Sequence, residues 1–175
     1  MIIRCTAKLL KETGTSGKSS VVENTISTLG DWHANLFYLD RKKNVIFCND
    51  KTLYCVVAFQ VNREQIKDLE GLLRRELGKT LIEDGLEGKL IQKLVEEVKD
   101  VSFAPTNSRS VVGVMVYHLK NMPWFILDKE DGWSDKNLKN TVKRLNRTPM
   151  VAPNYIYAID FLGQLLGVKI DHQMK

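Results

Sequence analysis

The stretch His33–Phe59, HANLFYLDRKKNVIFCNDKTLYCVVAF, decides how this chain folds. Its three runs HANLFYLD, NVIFCND and TLYCVVAF are rich in aromatic and β-branched residues, which favour strands, and the polar RKKN between the first two is a hairpin signal. The connectors are a few residues each. Parallel neighbours need long crossovers, so the three strands are expected to form an antiparallel meander.

On the N-terminal side, IIRC predicts a short strand over Ile2 to Cys5, with Thr6 capping a short helix that carries Leu9 and Leu10. Beyond the meander the period changes. Asn62 caps a helix with Gln65 three residues on, and Ile66, Leu69, Leu73 and Leu77 mark one face, with Gly78 as its expected stop. Leu86, Leu90, Leu94 and Val98 mark a second helix, widened by Ile91 and Val95. VSFA predicts a further strand. The segment SRSVVGVMVYHLKNM is read as a helix behind Ser108, because Val112, Met115, Leu119 and Met122 fall at helical spacing. Ser134 caps DKNLKNTVKRL, turning Leu138, Leu145 and either Val142 or Thr141 inward. Pro149 and Pro153 bound a turn, and IYAIDFLGQLLG closes as a helix stopped by Gly167.

The fold class expected is α+β: an antiparallel sheet of three to five strands packed on one face by about four helices. With 175 residues, of which 43% are hydrophobic, the chain can bury a core without disulfide or metal support. A single domain over 1–175 is expected, with strands mainly in 1–61 and helices mainly in 62–175. Arg4 interrupts the opening apolar run, no small-residue cleavage site follows, and no stretch approaches the length of a membrane span. A soluble cytoplasmic protein is the expectation. The three cysteines, Cys5, Cys48 and Cys55, form an odd set without CxxC spacing and read as reduced thiols, although Cys48 and Cys55 can meet across a hairpin.

The loop GTSGKSS, Gly14 to Ser20, resembles a phosphate cradle. A Walker loop needs four residues between its first glycine and the Gly-Lys-Ser, which puts that glycine at the position of Glu12, so the loop is two residues short. LFYLD, ending in Asp40, resembles a magnesium-holding strand, but it leads straight into a hairpin, whereas nucleotide folds need parallel strands joined by helices. No nucleotide is expected at Gly14–Ser20, and no other cofactor is implied.

MIIRCTAKLL, LGDWHANLFYLDRKKNVIFCNDKTL, NSRSVVGVM and LNRTPM occur in this order over most of the chain. Together they resemble a family of small bacterial and archaeal proteins known only as a domain of unknown function. The resemblance implies a single domain, alone or fused to other small modules, and a helix beginning at Arg109. The family generally lacks a Gly-Lys-Ser loop after its first element, and it brings no catalytic residues to carry over.

Candidate functional residues fall into three sets. Asp31 can orient His33 for proton transfer, and with Arg109 the two make a candidate hydrolase or nuclease site. The plainer reading has Asp31 closing a turn, Trp32 in the core and His33 facing solvent or a backbone acceptor. Asn107, Arg109 and Ser110, with Asn146 and Arg147, place an arginine beside capping residues at two helix ends, a geometry that can grip an anion or a partner. Capping and internal ion pairs explain the same residues. Lys136, Lys139, Lys143 and Arg147 line a helix as a nucleic-acid backbone would require, though without interleaved aromatics. The three histidines have no local ligand spacing, so no metal site is expected unless Cys and His residues converge in space. The net charge of +5 lies in the two flanks, around a mildly acidic middle. The leading functional expectation is a non-enzymatic binding or regulatory module acting through a protein partner or self-association, ahead of nucleic-acid binding and of an unrecognised enzyme.

Overall fold

A computed structural model describes residues 1–14, 27–127, 130–149 and 157–172. The elements are β1 (Ile2–Cys5), α1 (Ala7–Thr13), β2 (Trp32–Leu39), β3 (Lys42–Asn49), β4 (Cys55–Ala58), α2 (Arg63–Lys67), α3 (Leu69–Glu83), α4 (Gly88–Glu96), β5 (Ser102–Pro105), α5 (Arg109–Ile126), α6 (Asp135–Asn146) and α7 (Ala158–Leu166). The class is α+β, and the five strands form one sheet in the order β4-β3-β2-β1-β5.

The meander holds: β2 pairs β3, and β3 pairs β4, both antiparallel. Its first turn is Asp40-Arg41, both at positive φ (48° and 61°), the two-residue hairpin in which both central residues are left-handed. The expectation of a wholly antiparallel sheet is corrected. β1 lies parallel to both β2 and β5. The physical reason is in the connections, since α1 lies between β1 and β2 and helices α2 to α4 lie between the meander and β5.

The packing on one face is also corrected, because β3 and β4 have no solvent side. All of Asn44–Asn49 and Cys55–Ala58 are buried, and successive side chains point to opposite faces. Val45, Phe47, Val56 and Ala58 join Ile3, Cys5, Trp32 and Leu36 in a front core closed by α1, α3, α4 and α7. Ile46, Cys48, Cys55 and Val57 join Leu39 in a back core closed by α5 and α6 through Val111, Met115, Met122, Ile126, Val142 and Leu145.

The caps follow the sequence closely. The Asn62 side chain accepts from Gln65 N while the Gln65 side chain accepts from Asn62 N, both at 2.9 Å. Ser108 Oγ accepts from Val111 N and Ser134 Oγ from Asn137 N. α7 ends at Gly167 in the left-handed region. The helix expected to stop at Gly78 instead breaks at Asp68, which ends α2 and caps α3 by accepting from Gly71 N at 2.9 Å. Gly78 lies inside α3 against α4, where an added Cβ would sit 3.4 Å from Val95 Cγ2. Close helix packing explains that glycine. Residues 15–20, with most of the GTSGKSS loop, and Pro153 lie outside the described residues.

Two cores predict that adjacent residues of β3 are equally intolerant of polarity. Ile46→Ser and Phe47→Ser are each expected to cost about 3–5 kcal/mol by urea unfolding. A sheet covered on one side only would be disturbed by one of them and not the other.

Candidate functional site

Asp31, His33 and Arg109 do not assemble as an acid–base set. His33 is fully buried on the back of β2, and its Nδ1 lies 2.6 Å from Asp50 Oδ1. The orienting carboxylate is therefore Asp50, not Asp31, and the burial replaces the solvent-facing histidine of the plainer reading. Asn107 N donates to His33 Nε2 at 3.4 Å, so the hydrogen-bond pattern assigns the ring proton to Nδ1. The Nε2 lone pair, which a general base would use, is turned to a backbone amide. Asp31 serves the fold: it accepts from Ile2 N at 2.8 Å and lies 3.6 Å from Arg4 NH2, holding β1 beside β2. Arg109 and Ser110 are exposed in the first turn of α5.

The second set divides. The backbone of Asn107 meets β2, whereas Asn146 meets β4, two strand spacings or about 10 Å away. Asn146 is fully buried at the end of α6. Its Oδ1 accepts from Cys55 N at 2.7 Å and its Nδ2 donates to Cys55 O at 2.8 Å, as a neighbouring strand would. Arg147 NH1 pairs with Asp84 Oδ1 at 2.7 Å, with side chains only 5% and 1% exposed. Its remaining donors reach Asp171 O and Lys143 O. Tyr54 OH donates to the other Asp84 oxygen. Complete burial, then the Asp84 charge, push the Tyr54 phenol well above its usual range. This buried network joins β4, α3, α6 and the C-terminal segment.

The lysine set is partly spent in the same way. Lys139 bridges to Glu83 and Asp135, both at 3.0 Å. With Lys79, Lys143 and Glu76 it rims a groove of about 190 Å³ between α3 and α6, floored by Val57, Leu138 and Val142. Lys136 is exposed. Among the described residues no group of three or more His, Cys, Asp or Glu side chains is placed to hold a metal ion.

The helical spacing of Val112, Met115, Leu119 and Met122 marks one face of α5, but the helix has a second apolar face. Val111, Met115, His118, Met122 and Ile126 are buried against the sheet. On the opposite side Val116 (41%), Tyr117 (45%), Trp124 (66%) and, just past the end, Leu127 (48%) stand exposed. Arg109, Gly113 and Lys120 complete that stripe. Arg109 and Lys120 are the two formally charged residues in Arg109–Ile126, and both are cationic. The signal was available: apolar residues repeat on both sides of this helix, giving more hydrophobic surface than one core contact consumes. Singly exposed apolar residues are ordinary, but a contiguous stripe headed by tryptophan marks an interaction surface.

The sequence profile of the family described as Domain of unknown function (DUF6933) matches residues 2–161. The chain belongs to that family, in agreement with the resemblance read from its motifs. No curated protein and no solved structure matches it.

Removing Arg147 should leave the Asp84 carboxylate buried without its cation, so Arg147→Ala is expected to cost about 3–5 kcal/mol by urea unfolding. A loss under about 1 kcal/mol would mean that the network is wet. The Tyr54 phenol is held protonated, its folded pKa lying above the unfolded value, so its contribution is intact below about pH 10 and falls as pH rises further. Tyr54→Phe should flatten that alkaline loss, measured as the thermal midpoint against pH.

Proposed function

We propose that this member of the DUF6933 family is a non-enzymatic binding module, and that its protein partner lays an apolar segment bearing acidic residues along the outer face of α5. The observation that carries the reading is the exposed stripe Val116, Tyr117, Trp124 and Leu127, punctuated by Lys120 and headed by Arg109. An exposed tryptophan beside a tyrosine supplies the large, rigid anchors that dominate binding energy. Two cations without a formal anion on α5 select an acidic partner by charge complementarity.

The same charges argue against a second copy as occupant. Lys120 stands midway along the stripe, so an α5 to α5 contact would bring cations together with no carboxylate on either helix to answer them. The competing functions have less support. The lone pair a histidine base would use faces Asn107 N, Arg147 is buried in internal bonds, and Lys139 is paired to two carboxylates.

A photo-crosslinking amino acid at position 124, with one on the α4 surface at Gln92 as control, tests this in lysate of the native cell. The expected product is a protein cross-linked at 124 and not at 92, through a segment in which Asp or Glu flanks apolar residues. A synthetic peptide of that segment should lose affinity at least about tenfold for Trp124→Ala and for Lys120→Glu. Capture of nucleic acid, cross-linking equal at both positions, or a solution dimer dissolved by Trp124→Glu would overturn the reading.

A further inference from the structure

Arg4, His33, Cys48 and Cys55 occupy one row across the back of the sheet, from β1 to β4. Cys48 and Cys55 stand directly opposite each other. The next pair along, Asn49 and Tyr54, is hydrogen bonded (Asn49 N to Tyr54 O, 2.9 Å), whereas Cys55 turns both main-chain groups outward to Asn146. Cys48 and Cys55 are therefore a non-hydrogen-bonded pair, the class with Cα atoms about 4.5 Å apart and side chains closest. A disulfide spans Cα separations of roughly 4.4–6.8 Å. Both Sγ atoms also converge on one acceptor, Leu53 O, at 3.5 Å each.

The surroundings favour reaction at Cys55. The Cys48 side chain directly opposite lowers the Cys55 pKa against the opposing effect of burial, and the neighbouring His118 acts in the same direction. His118 is fully buried, and neither ring nitrogen has a hydrogen bond of ordinary geometry. A buried imidazole without partners needs an explanation. Supporting a thiolate supplies one. Cys5 is the internal control, a buried thiol in the front core that burial alone raises to about 12. Val57, the next residue on the same face of β4 as Cys55, lines the groove between α3 and α6, so the groove lies one side chain along the strand from the pair.

We propose that Cys48 and Cys55 form a cross-strand disulfide when hydrogen peroxide reaches them from the side of that groove. The Cys55 thiolate attacks one peroxide oxygen and the O–O bond breaks. The departing hydroxide takes up the proton that Cys55 released, leaving a sulfenic acid and one water. The Cys48 sulfur then attacks the sulfenic sulfur, the S–O bond breaks as the S–S bond forms, and the oxygen leaves as a second water with the Cys48 proton. Two electrons pass from the two thiols to the peroxide. His118 is a positioning residue that favours the thiolate.

The test treats folded protein with hydrogen peroxide, quenches with catalase, and unfolds it in guanidinium with iodoacetamide. Reduction and labelling with N-ethylmaleimide follow, and peptides are read by mass spectrometry. N-ethylmaleimide is expected on Cys48 and Cys55, and the iodoacetamide adduct on Cys5. With Cys48→Ser, Cys55 should be trapped by dimedone as the sulfenic acid. With Cys55→Ser, Cys48 should stay reduced. His118→Gln should move the pH profile of the oxidation rate to higher pH. Iodoacetamide on Cys48 and Cys55 at a peroxide dose that oxidises free cysteine would overturn the proposal, as would oxidation of Cys5 at the same rate. The wild-type experiment decides even if a variant does not fold.

Discussion

The structure depends on the double burial of β3 and β4. A strand whose alternate side chains all avoid water needs an apolar layer on each side, and neither helix group can supply both. The front layer of α1, α3, α4 and α7 and the back layer of α5 and α6 are two answers to that one demand. α5 spends one face covering Ile46, Cys48 and their neighbours, and this leaves its other face to solvent.

The local features were legible in the sequence because they rest on contacts between near neighbours. The Asn62 and Gln65 capping box, the Ser108 and Ser134 caps, the left-handed stop at Gly167 and the three meander strands are of this kind. The helices flanking the meander were legible and permit parallel crossovers, but nothing in IIRC says that β1 inserts between β2 and β5. The second core left a trace that was readable. NVIFCN has no polar alternation between its asparagines, and an uninterrupted apolar run of that length means burial on both faces. Gly78 misled because a glycine that permits close helix packing looks the same in sequence as one that ends a helix.

The site residues show the same division. Asp31 and His33 share a strand neighbourhood, but register across the sheet brings Asp50 to the imidazole and sends Asp31 to the start of β1. Asn146 and Arg147 look in sequence like capping residues with an anion to grip, but their polar atoms are consumed by Cys55, Asp84 and the C-terminal segment. Polar groups in this protein are chiefly fasteners between elements distant in sequence. What the fold leaves exposed is the apolar outer face of α5.

The two borders of the sheet bear on how the molecule meets others. At one border the Asn146 amide occupies the outward groups of Cys55, and the Lys139 to Glu83 bridge spans the overhanging helices. At the other, β5 is four residues long and finishes in Pro105, which has no amide hydrogen to offer. Each device removes part of the ladder that an incoming extended chain would pair with, which works against growth by strand addition, the usual route to fibrils.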